Sequence, residues 1–253
     1  MTTYPFTSAL VTGASSGIGE AMVELLAAAG VPTVVVARRR DRLEALAARH
    51  AGVEVLVADL QTAAGLAAVG ERVGDVDLLV NNAGFGTSGL FHELDPDRLL
   101  GEIQLNVGAL TRLSHAALAT MVPRGRGFLL NVSSVASFQS APKLAVYAAT
   151  KAYVTSLTEG LHEEVRGTGV HVTALCPGLT PTEFQSVSST DGYASKYPGF
   201  VWTSTHEVAE AGLRDVARNK CLSVPGALYK GLVGASGVTP RGLARRLASL
   251  VQR

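Results

Sequence analysis

The stretch of sequence that decides the fold reads Thr12-Gly13-Ala14-Ser15-Ser16-Gly17-Ile18-Gly19. It follows a short apolar run, Ala9–Thr12, and precedes a segment of helical periodicity, so it predicts a tight turn between a strand and a helix. Gly13 permits the reversal of the backbone, Gly17 lets backbone N–H groups approach a pyrophosphate, and Gly19 allows close packing of the helix. Because a helix N-terminus also carries partial positive charge, the turn predicts a phosphate-binding site.

Strand and helix patterns alternate along the rest of the chain. Short β-branched runs are separated by segments in which apolar residues recur every three or four positions, which is typical of βαβ units around a parallel sheet. The predicted strands are 9–12, 33–37, 54–58, 78–81, 127–132, 170–175 and a weaker 221–224, and helices are predicted at 19–29, 42–50, 106–121, 147–166 and 207–218. The sequence therefore predicts an α/β fold, a Rossmann-type doubly wound parallel sheet of seven strands with helices on both faces, in a single domain spanning 1–253.

Composition narrows the class of protein. The chain has 253 residues, of which 47% are hydrophobic and 17% charged, and a formal net charge of +1. This balance indicates a globular protein and gives no electrostatic footprint for nucleic acid. The N-terminus lacks the pattern of a signal peptide, so we expect a cytoplasmic protein. The two cysteines, Cys176 and Cys221, and the six histidines show no metal-ligand spacing, so we predict reduced thiols and no metal site.

The tip of the second strand points to the type of dinucleotide. It reads Ala37-Arg38-Arg39-Arg40, with no acidic residue to accept from a ribose 2′-hydroxyl. Asp41 is interpreted as the cap of the following helix. A 2′-phosphate needs cationic partners, so the sequence predicts NADP(H) rather than NAD(H), with Arg38 and Arg39 on the phosphate. The alternative is a solvated basic cluster.

A second motif combines Tyr147 and Lys151 at the start of a predicted helix with Ser133-Ser134 at the end of the fifth strand. Residues four apart share a helix face, so Tyr147 and Lys151 can point at one substrate. A neighbouring ammonium and a positively charged nicotinamide favour the phenolate and lower the pKa of the tyrosine, which fits it for proton exchange with a substrate oxygen. Taken alone, the spacing is common on helices and also fits a half-buried tyrosine beside a surface lysine.

In combination these motifs resemble the short-chain dehydrogenase/reductase family, in its single-domain branch, over nearly the whole chain up to Thr182. The resemblance rests on the turn at 12–19, Asn81–Gly84, Asn106 within Leu-Asn-Val, Ser134, Tyr147 with Lys151, and Pro177-Gly178 with Thr182.

The resemblance implies catalytic roles for four residues. Tyr147 is expected to be the general acid/base, and Lys151 its electrostatic partner and a ligand of the nicotinamide ribose. Ser134 is expected to orient the carbonyl; it is preferred to Ser133 because it lies 13 positions before Tyr147, the usual separation in the family. Asn106 is expected to hold a water in the proton relay.

The resemblance also implies that the cofactor lies along one edge of the sheet. Asp59 is expected to meet adenine, although on spacing alone it fits a helix-capping role before Thr62 equally well. The predicted cofactor residues are Gly13, Ser15, Ser16, Gly17, Ile18, Gly19, Arg38, Arg39, Asp59, Leu60, Asn82, Ala83, Gly84, Tyr147, Lys151, Pro177, Gly178, Thr180 and Thr182.

The expected activity is NADP(H)-dependent interconversion of a carbonyl and its alcohol. Residues 180–205 are interpreted as a substrate lid, and aromatic residues there and in two neighbouring loops favour an apolar ketone or aldehyde; the alternative is that they only anchor the lid. The aromatics are Phe184, Tyr193, Tyr197, Phe200, Trp202, Phe85, Phe91 and Phe138. Two other functions stay open: a 3-oxoacyl-thioester reductase, whose basic docking patch would use Lys143, Arg124 and Arg126, and a non-catalytic dinucleotide-binding regulatory protein.

The C-terminal segment departs from the family pattern. Many relatives end in a glycine-rich tail that packs across a tetramer, whereas residues 239–252 predict an amphipathic basic helix. We therefore expect a homo-oligomer but leave dimer and tetramer open. The helix is expected to dock on its own domain or on a dimer mate, and contact with a membrane surface is the alternative.

Overall fold

Seven parallel strands form the centre of the computed structural model, which describes residues 3–189 and 198–238. Their order across the sheet is 3-2-1-4-5-6-7, so the direction of winding reverses between the first and fourth strands. The predicted fold class is thereby confirmed. The strands are β1 (Ala9–Thr12), β2 (Thr33–Ala37), β3 (Val53–Val57), β4 (Leu78–Asn81), β5 (Gly127–Val132), β6 (Val170–Leu175) and β7 (Leu222–Ser223).

Helices cover both faces of this sheet. One π-helical turn, Gln104–Ala109, joins the fourth helix to the fifth. The helices are α1 (Gly17–Ala28), α2 (Arg40–Arg49), α3 (Ala63–Val73), α4 (Pro96–Ile103), α5 (Leu110–Arg124), α6 (Ala145–Glu164), α7 (Phe184–Val187), α8 (Thr205–Ala217) and α9 (Ala227–Val238).

Side chains along each strand point alternately to the two faces of the sheet, so the apolar residues form two cores. Leu129 and Leu130 of β5 are adjacent and both fully buried, but their side chains point to opposite faces of the sheet. Leu130 packs in the core with α1, α2 and α8, and Leu129 packs in the core with α3 and α5. Burial on both faces explains why the strands read as continuous apolar runs.

The predicted strands agree with the structure to within one residue at each end. The predicted helices deviate more. The helix predicted at 106–121 is a π-helical turn followed by α5, and the prediction for Asp41 is wrong, since Arg39 is the N-cap of α2 and Asp41 lies in its first turn. A carboxylate there still interacts favourably with the helix dipole. The sequence analysis did not predict α3, α4, α7 or α9.

Two predicted segments fall wholly or partly outside the described residues. The lid is described at 180–189, which includes α7, and at 198–205, but not between them. The amphipathic helix predicted at 239–252 lies outside the described part of the chain. Across residues 3–189 and 198–238, none of the helices has the length and apolar character needed to cross a bilayer.

Candidate active site

A deep cleft of about 1190 Å³ runs along the carboxyl ends of the strands, across the point where the strand order reverses. This is where doubly wound sheets bind their ligands, because the helices on either side of the switch point diverge and leave a crevice. The glycine-rich turn forms one end of the cleft and Tyr147 lies in its middle.

The glycine-rich turn has a backbone conformation and close backbone contacts that only glycine permits. Gly13 and Gly17 have φ values of +66° and +62°, which L side chains rarely adopt. A Cβ atom on Gly13 would lie 2.8 Å from the Ala83 Cα, and one on Gly19 would lie 2.5 Å from the Gly13 carbonyl oxygen. The turn therefore packs against β4 and leaves the N-terminus of α1 facing the cleft, which fits the pyrophosphate of a dinucleotide.

Side chains from β1 and β4 fix that turn to the sheet. The Thr12 hydroxyl donates to the Val80 carbonyl and accepts from the backbone N–H groups of Asn82 and Ala83. The Asn82 amide donates in return to the carbonyls of Thr12 and Gly13. The role of Thr12 was not predicted, since a threonine at a strand end has no distinctive sequence signal.

Tyr147, Lys151 and Ser134 converge in the middle of the cleft. Tyr147 is the third residue of α6, and the Lys151 Nζ lies 5.8 Å from the centroid of its ring. Ser134 lies close enough to the Tyr147 hydroxyl to act on its pKa, and the Ser134 Oγ accepts from the Ala136 N–H. The neighbouring Ser133 is buried, and its hydroxyl is already bonded to the Lys151 carbonyl oxygen and the Thr155 hydroxyl. Of the two serines, Ser134 therefore lies where it can contact a substrate oxygen.

Burial dominates the electrostatics of this pair. It raises the pKa of Tyr147 to about 12, with the Ser134 hydroxyl acting in the opposite direction. It lowers the pKa of Lys151 to about 8, because a charged ammonium is costly away from water. The sequence predicted that the lysine ammonium and a positively charged nicotinamide together lower the tyrosine pKa; the groups of the chain alone raise it.

Asn106 lies in the π-helical turn, behind the Tyr147–Lys151 pair, and its side chain joins two parts of the site. Its Nδ2 donates to the Phe85 carbonyl at 2.8 Å and to the Thr150 hydroxyl at 3.2 Å, and its Oδ1 accepts from the Phe85 N–H. A Cβ atom on Gly84 would lie 2.9 Å from the Asn106 Oδ1 and 3.5 Å from the Lys151 Nζ. Asn106 therefore holds the loop after β4 against α6.

Four arginines cluster near the tip of β2, and two of them contact the lid. The Arg39 Nε and Nη2 donate to the Ser15 hydroxyl, and Nη2 also reaches the Ser16 hydroxyl at 3.0 Å. Its Nη1 lies 2.7 Å from the carboxylate of Glu183, which also accepts from Arg42 at 2.6 Å. Arg38 is exposed and lines the same cleft.

Other predicted cofactor residues line the two long sides of the cleft. Asp59 and Leu60 follow β3, and the Asp59 carboxylate accepts from the Gln61 N–H. The N-cap of α3 is Thr62, so Asp59 does not cap that helix. Opposite them, the Thr180 hydroxyl donates to the Gly178 carbonyl.

The structure brings nearly all the predicted site residues together. Every one of them lines the cleft except Gly19, which packs beneath the turn, and Asn106, which lies behind the wall. Several residues that border the cleft or its buried neighbours were not predicted as site residues from the sequence: Thr12, Arg42, Arg98, Glu102, Thr150, Glu183, Leu228, Tyr229 and Leu232.

The aromatic prediction for the substrate end is partly wrong. Phe85, Phe138 and Phe184 line the cleft, and the Phe184 ring lies 5.2 Å from the Tyr147 ring. Phe91 and Phe200 are instead 65% and 80% exposed. Trp202 is half-buried and is not among the residues that line the cleft, while Tyr193 and Tyr197 lie outside the described residues. Aliphatic side chains complete the wall in their place: Leu144, Leu179, Val187, Val201, Leu228 and Leu232.

Neither the cysteines nor the acidic and histidine residues form a ligand cluster in the described part of the chain. Cys176 is buried, and burial raises the pKa of its thiol to about 11, whereas Cys221 is half-buried.

Comparisons with known proteins agree with this geometry. A family model described as short chain dehydrogenase matches residues 7–192. An uncharacterized oxidoreductase of Myxococcus xanthus is 36% identical over 227 residues, which cover 86% of this chain and 87% of the relative. A short-chain dehydrogenase from Sphingobium yanoikuyae, solved in complex with NADPH, superposes with a TM-score of 0.82 at 36% identity, covering 91% of this chain and 93% of the other. A bulky-bulky ketone specific alcohol dehydrogenase from Comamonas testosteroni superposes with a TM-score of 0.77 at 31% identity, covering 93% of this chain and 95% of the other.

Proposed function

The chain belongs to the short-chain dehydrogenase family, and we propose that it interconverts an apolar ketone or aldehyde and its alcohol, using NADP(H) and with Tyr147 as the general acid/base. Membership makes it an oxidoreductase that acts on CH–OH groups with a nicotinamide dinucleotide. The cofactor preference, the substrate class and the residue roles are the proposal.

The catalytic part of the proposal rests on one observation. Tyr147, Ser134 and Lys151 face one point of the cleft, with Asn106 directly behind them. Tyr147 is half-buried in the cleft wall, its ring lies 5.2 Å from the Phe184 ring, and Ser134 lies close enough to its hydroxyl to affect its pKa. A phenol whose ring is fixed by packing while it still lines the cleft can transfer a proton to a substrate oxygen.

In the direction of reduction, bound NADPH would supply a hydride to the carbonyl carbon. Tyr147 donates its phenolic proton to the carbonyl oxygen, so that the C=O group becomes CH–OH and the tyrosine becomes a phenolate. Ser134 donates a hydrogen bond to the same oxygen, since its own Oγ already accepts from the Ala136 N–H. Lys151 donates one hydrogen bond to the Val132 carbonyl and keeps two N–H groups, which serve the phenolate and the ribose hydroxyls.

Three cationic side chains support the preference for NADP(H). Arg38, Arg39 and Arg42 lie at or just beyond the tip of β2, and the first two line the cleft beside Ser15 and Ser16. Guanidinium groups bind a phosphate through paired charge-assisted hydrogen bonds, whereas a ribose 2′-hydroxyl donates a hydrogen bond to an acidic side chain. The similar structure from Sphingobium yanoikuyae, which holds NADPH, adds support.

The substrate end of the cleft supports a bulky apolar carbonyl compound. Its wall includes Phe85, Phe138, Phe184 and the aliphatic residues of α9, while Tyr147, Ser134, Gln139 and Arg98 are among the polar residues that line the cleft. Such a wall binds apolar groups by removing their surface from water, and it offers few partners to a polyhydroxylated substrate. The similar enzyme from Comamonas testosteroni is named for bulky-bulky ketones.

One experiment tests both parts of this proposal. Steady-state kinetics with a panel of ketones, measured with NADPH and with NADH, should give the highest kcat/KM for bulky apolar ketones and a preference for NADPH. A preference for NADH would overturn the cofactor proposal, and activity confined to small polar sugars would overturn the substrate proposal.

The alternative of a 3-oxoacyl-thioester reductase has weaker support. Arg124 and Arg126, two members of its predicted basic patch, lie next to Asp77, which precedes β4 and therefore sits at the amino ends of the strands. A carrier protein that docked there would face the edge of the sheet opposite to the cleft. Turnover of an acyl thioester above that of every simple ketone in the panel would favour this alternative.

A homo-oligomeric state and a cytoplasmic location stay predictions of the same proposal. Size-exclusion chromatography with light scattering tests the first, and fractionation of the source cells tests the second.

A further inference from the structure

Glu183 makes an ion-pair contact that the proposed reaction does not use. It lies in the segment between β6 and α7, where the lid begins, and its two carboxylate oxygens bind different arginines. Oε2 accepts from Arg39 at 2.7 Å and Oε1 accepts from Arg42 at 2.6 Å. The residues are 144 and 141 positions apart, so the contact joins two distant parts of the chain.

The contact spans the mouth of the cleft at the cofactor end. Arg39 and Arg42 belong to the junction of β2 and α2, on one side of the switch point, and Glu183 follows β6 on the other side. The residue before Glu183 touches the glycine-rich turn, since a Cβ atom on Gly17 would lie 2.9 Å from the Thr182 Cγ2. A dinucleotide bound along this cleft would therefore lie beneath a bridge formed by these three side chains.

Arg39 can serve this bridge and a phosphate at the same time. Its Nε and Nη2 form one edge of the guanidinium, which donates to the neutral hydroxyls of Ser15 and Ser16. Its Nη1 points the other way, to Glu183. A phosphate can replace the hydroxyls on the first edge without disturbing the second, because a guanidinium has five donors in a fixed planar arrangement.

We propose that Glu183, held by Arg39 and Arg42, is a clasp that closes the start of the lid over the bound dinucleotide and slows its release. The opposing arrangement, in which the carboxylate competes with a 2′-phosphate for the same arginines, is disfavoured because Arg39 presents a separate edge to each anion. The hydrogen bonds from Arg39 and then Arg42 lower the pKa of Glu183, so the clasp is charged at neutral pH.

The clasp rests on the proposed function only in requiring that a nicotinamide dinucleotide fill the cleft. Its direct readout is the rate of cofactor release, measured by stopped-flow fluorescence when NADPH on the enzyme is displaced by excess NADP+. Glu183→Gln should release NADPH about fivefold faster, the size expected of an ion-pair network with partly exposed members. If only the net charge of the site mattered, Glu183→Gln would slow the release of NADPH, because removing a carboxylate makes the site more attractive to an anion.

A double-mutant cycle with Arg42→Gln isolates the contact. The single variants should each accelerate release, and the double variant should release NADPH no faster than Glu183→Gln alone. Glu44→Gln is the matched control: it removes the same charge from the neighbouring pair between Arg40 and Glu44, which stays within α2, and should leave the release rate unchanged. The side chain of Glu183 is 39% exposed and that of Arg42 is 46% exposed, so neither substitution is expected to disturb folding. Glu183→Asp keeps the charge but shortens the reach of the carboxylate, so this variant should also accelerate release.

Two results would overturn the clasp. Release from Glu183→Gln that is unchanged or slower would show that the carboxylate does not retain the cofactor, and slower release would identify it as a competitor of the phosphate. Additive effects in the cycle would show that Glu183 and Arg42 act separately. Failure of the proposed function appears elsewhere: if the wild-type protein prefers NADH, the cofactor proposal fails, and the same release experiment with NADH still decides on the clasp.

Discussion

At the scale of single residues, burial sets the proton affinities in the site. Partial loss of water raises the pKa of the half-buried Tyr147 phenol to about 12, and burial lowers the pKa of the Lys151 ammonium to about 8. A neutral phenol is thus the resting state of the tyrosine, which suits a proton donor in reduction. The reverse reaction needs a phenolate, so it depends more strongly on positive charge brought by the oxidised cofactor.

Glu102 is a second buried titratable group next to this pair. Its side chain is fully buried, and burial raises the pKa of its carboxyl to about 7, with Thr87, Lys151 and Arg98 acting in the opposite direction. Between pH 4.5 and 7 the folded protein therefore binds this proton more tightly than the unfolded chain does. Stability from this group is fully present below the ordinary glutamate pKa and is lost as the pH rises through the raised value.

Glu102→Gln should remove that pH dependence, because glutamine resembles the protonated carboxyl at every pH. Relative to wild type, the variant should gain on the order of 3 kcal/mol in unfolding free energy between pH 4.5 and pH 8, from a shift of about 2.5 pKa units. Urea unfolding across this range measures it. Glu93→Gln, at a side chain that is 63% exposed, is the control, and parallel curves for wild type and Glu102→Gln would contradict the prediction.

Sequence alone could predict some of these residues because their signal is local. Tyr147 and Lys151 share a helix turn, and Ser134 stands at a strand end on the same edge of the sheet. Glu102 and Glu183 carry no such signal. Each is a glutamate in a loop or helix of ordinary composition, and its role comes from partners brought near by the fold, as with Glu183 and the arginines more than 140 residues away.

At the scale of elements, α9 closes the substrate end of the cleft and is held there by Tyr229. The ring of Tyr229 covers Gly178, and its hydroxyl accepts from the Leu179 N–H at 2.9 Å and donates to the Val201 carbonyl at 2.8 Å. The two ends of the lid also meet directly, since the Thr203 N–H donates to the Leu179 carbonyl. Tyr229 therefore ties α9 to both ends of the lid.

Tyr229→Phe should lower the unfolding free energy by about 1 to 2 kcal/mol, because it leaves two partly buried backbone groups without the partner that bridges them. Chemical denaturation measures the loss. The matched control is Tyr153→Phe, which removes a hydroxyl bonded to Thr111 from a side chain that is 40% exposed, and should cost less than about 0.5 kcal/mol. Equal losses at the two positions would refute the bridging role.

Two of the unpredicted helices, α3 and α9, have weak local signals, whereas α4 begins with a recognisable start signal, the cap Asp95 followed by Pro96. Helix α3 contains Gly65 and Gly70, and α9 contains three glycines, each of which reduces helix propensity by up to about 1 kcal/mol relative to alanine. Helix α3 forms because Thr62 caps its N-terminus and because it packs on α5. The strands were predicted well since a parallel strand buried on both faces is a short, continuous apolar run.

At the scale of the whole molecule, the cleft joins the two halves of the sheet. The glycine-rich turn follows β1 and the catalytic candidates follow β5 and lie on α6, so a dinucleotide bound along the cleft would contact elements from both sides of the switch point. The predicted alternation of strands and helices was sufficient to place these residues at one edge. It could not give the shape of the substrate end, which depends on how α9 and the lid pack.

Binding across both halves should stabilise the fold by mass action. At a concentration one hundred times its Kd, NADPH should add about 2.7 kcal/mol of unfolding free energy, which raises Tm by roughly 5 to 10 °C for a chain of this size. Thermal scans should show a smaller shift with NADH at the same concentration. An equal or larger shift with NADH would contradict the role given to Arg38 and Arg39.

The central claim, that Tyr147 transfers the proton, is tested most directly by Tyr147→Phe. The substitution removes one hydroxyl and keeps the ring that packs on Phe184. Turnover of the best ketone with NADPH should fall by about 10³-fold or more, while the Kd of NADPH, measured by fluorescence titration, should stay within a few-fold of wild type. Turnover near the wild-type rate with intact NADPH binding would show that another group supplies the proton.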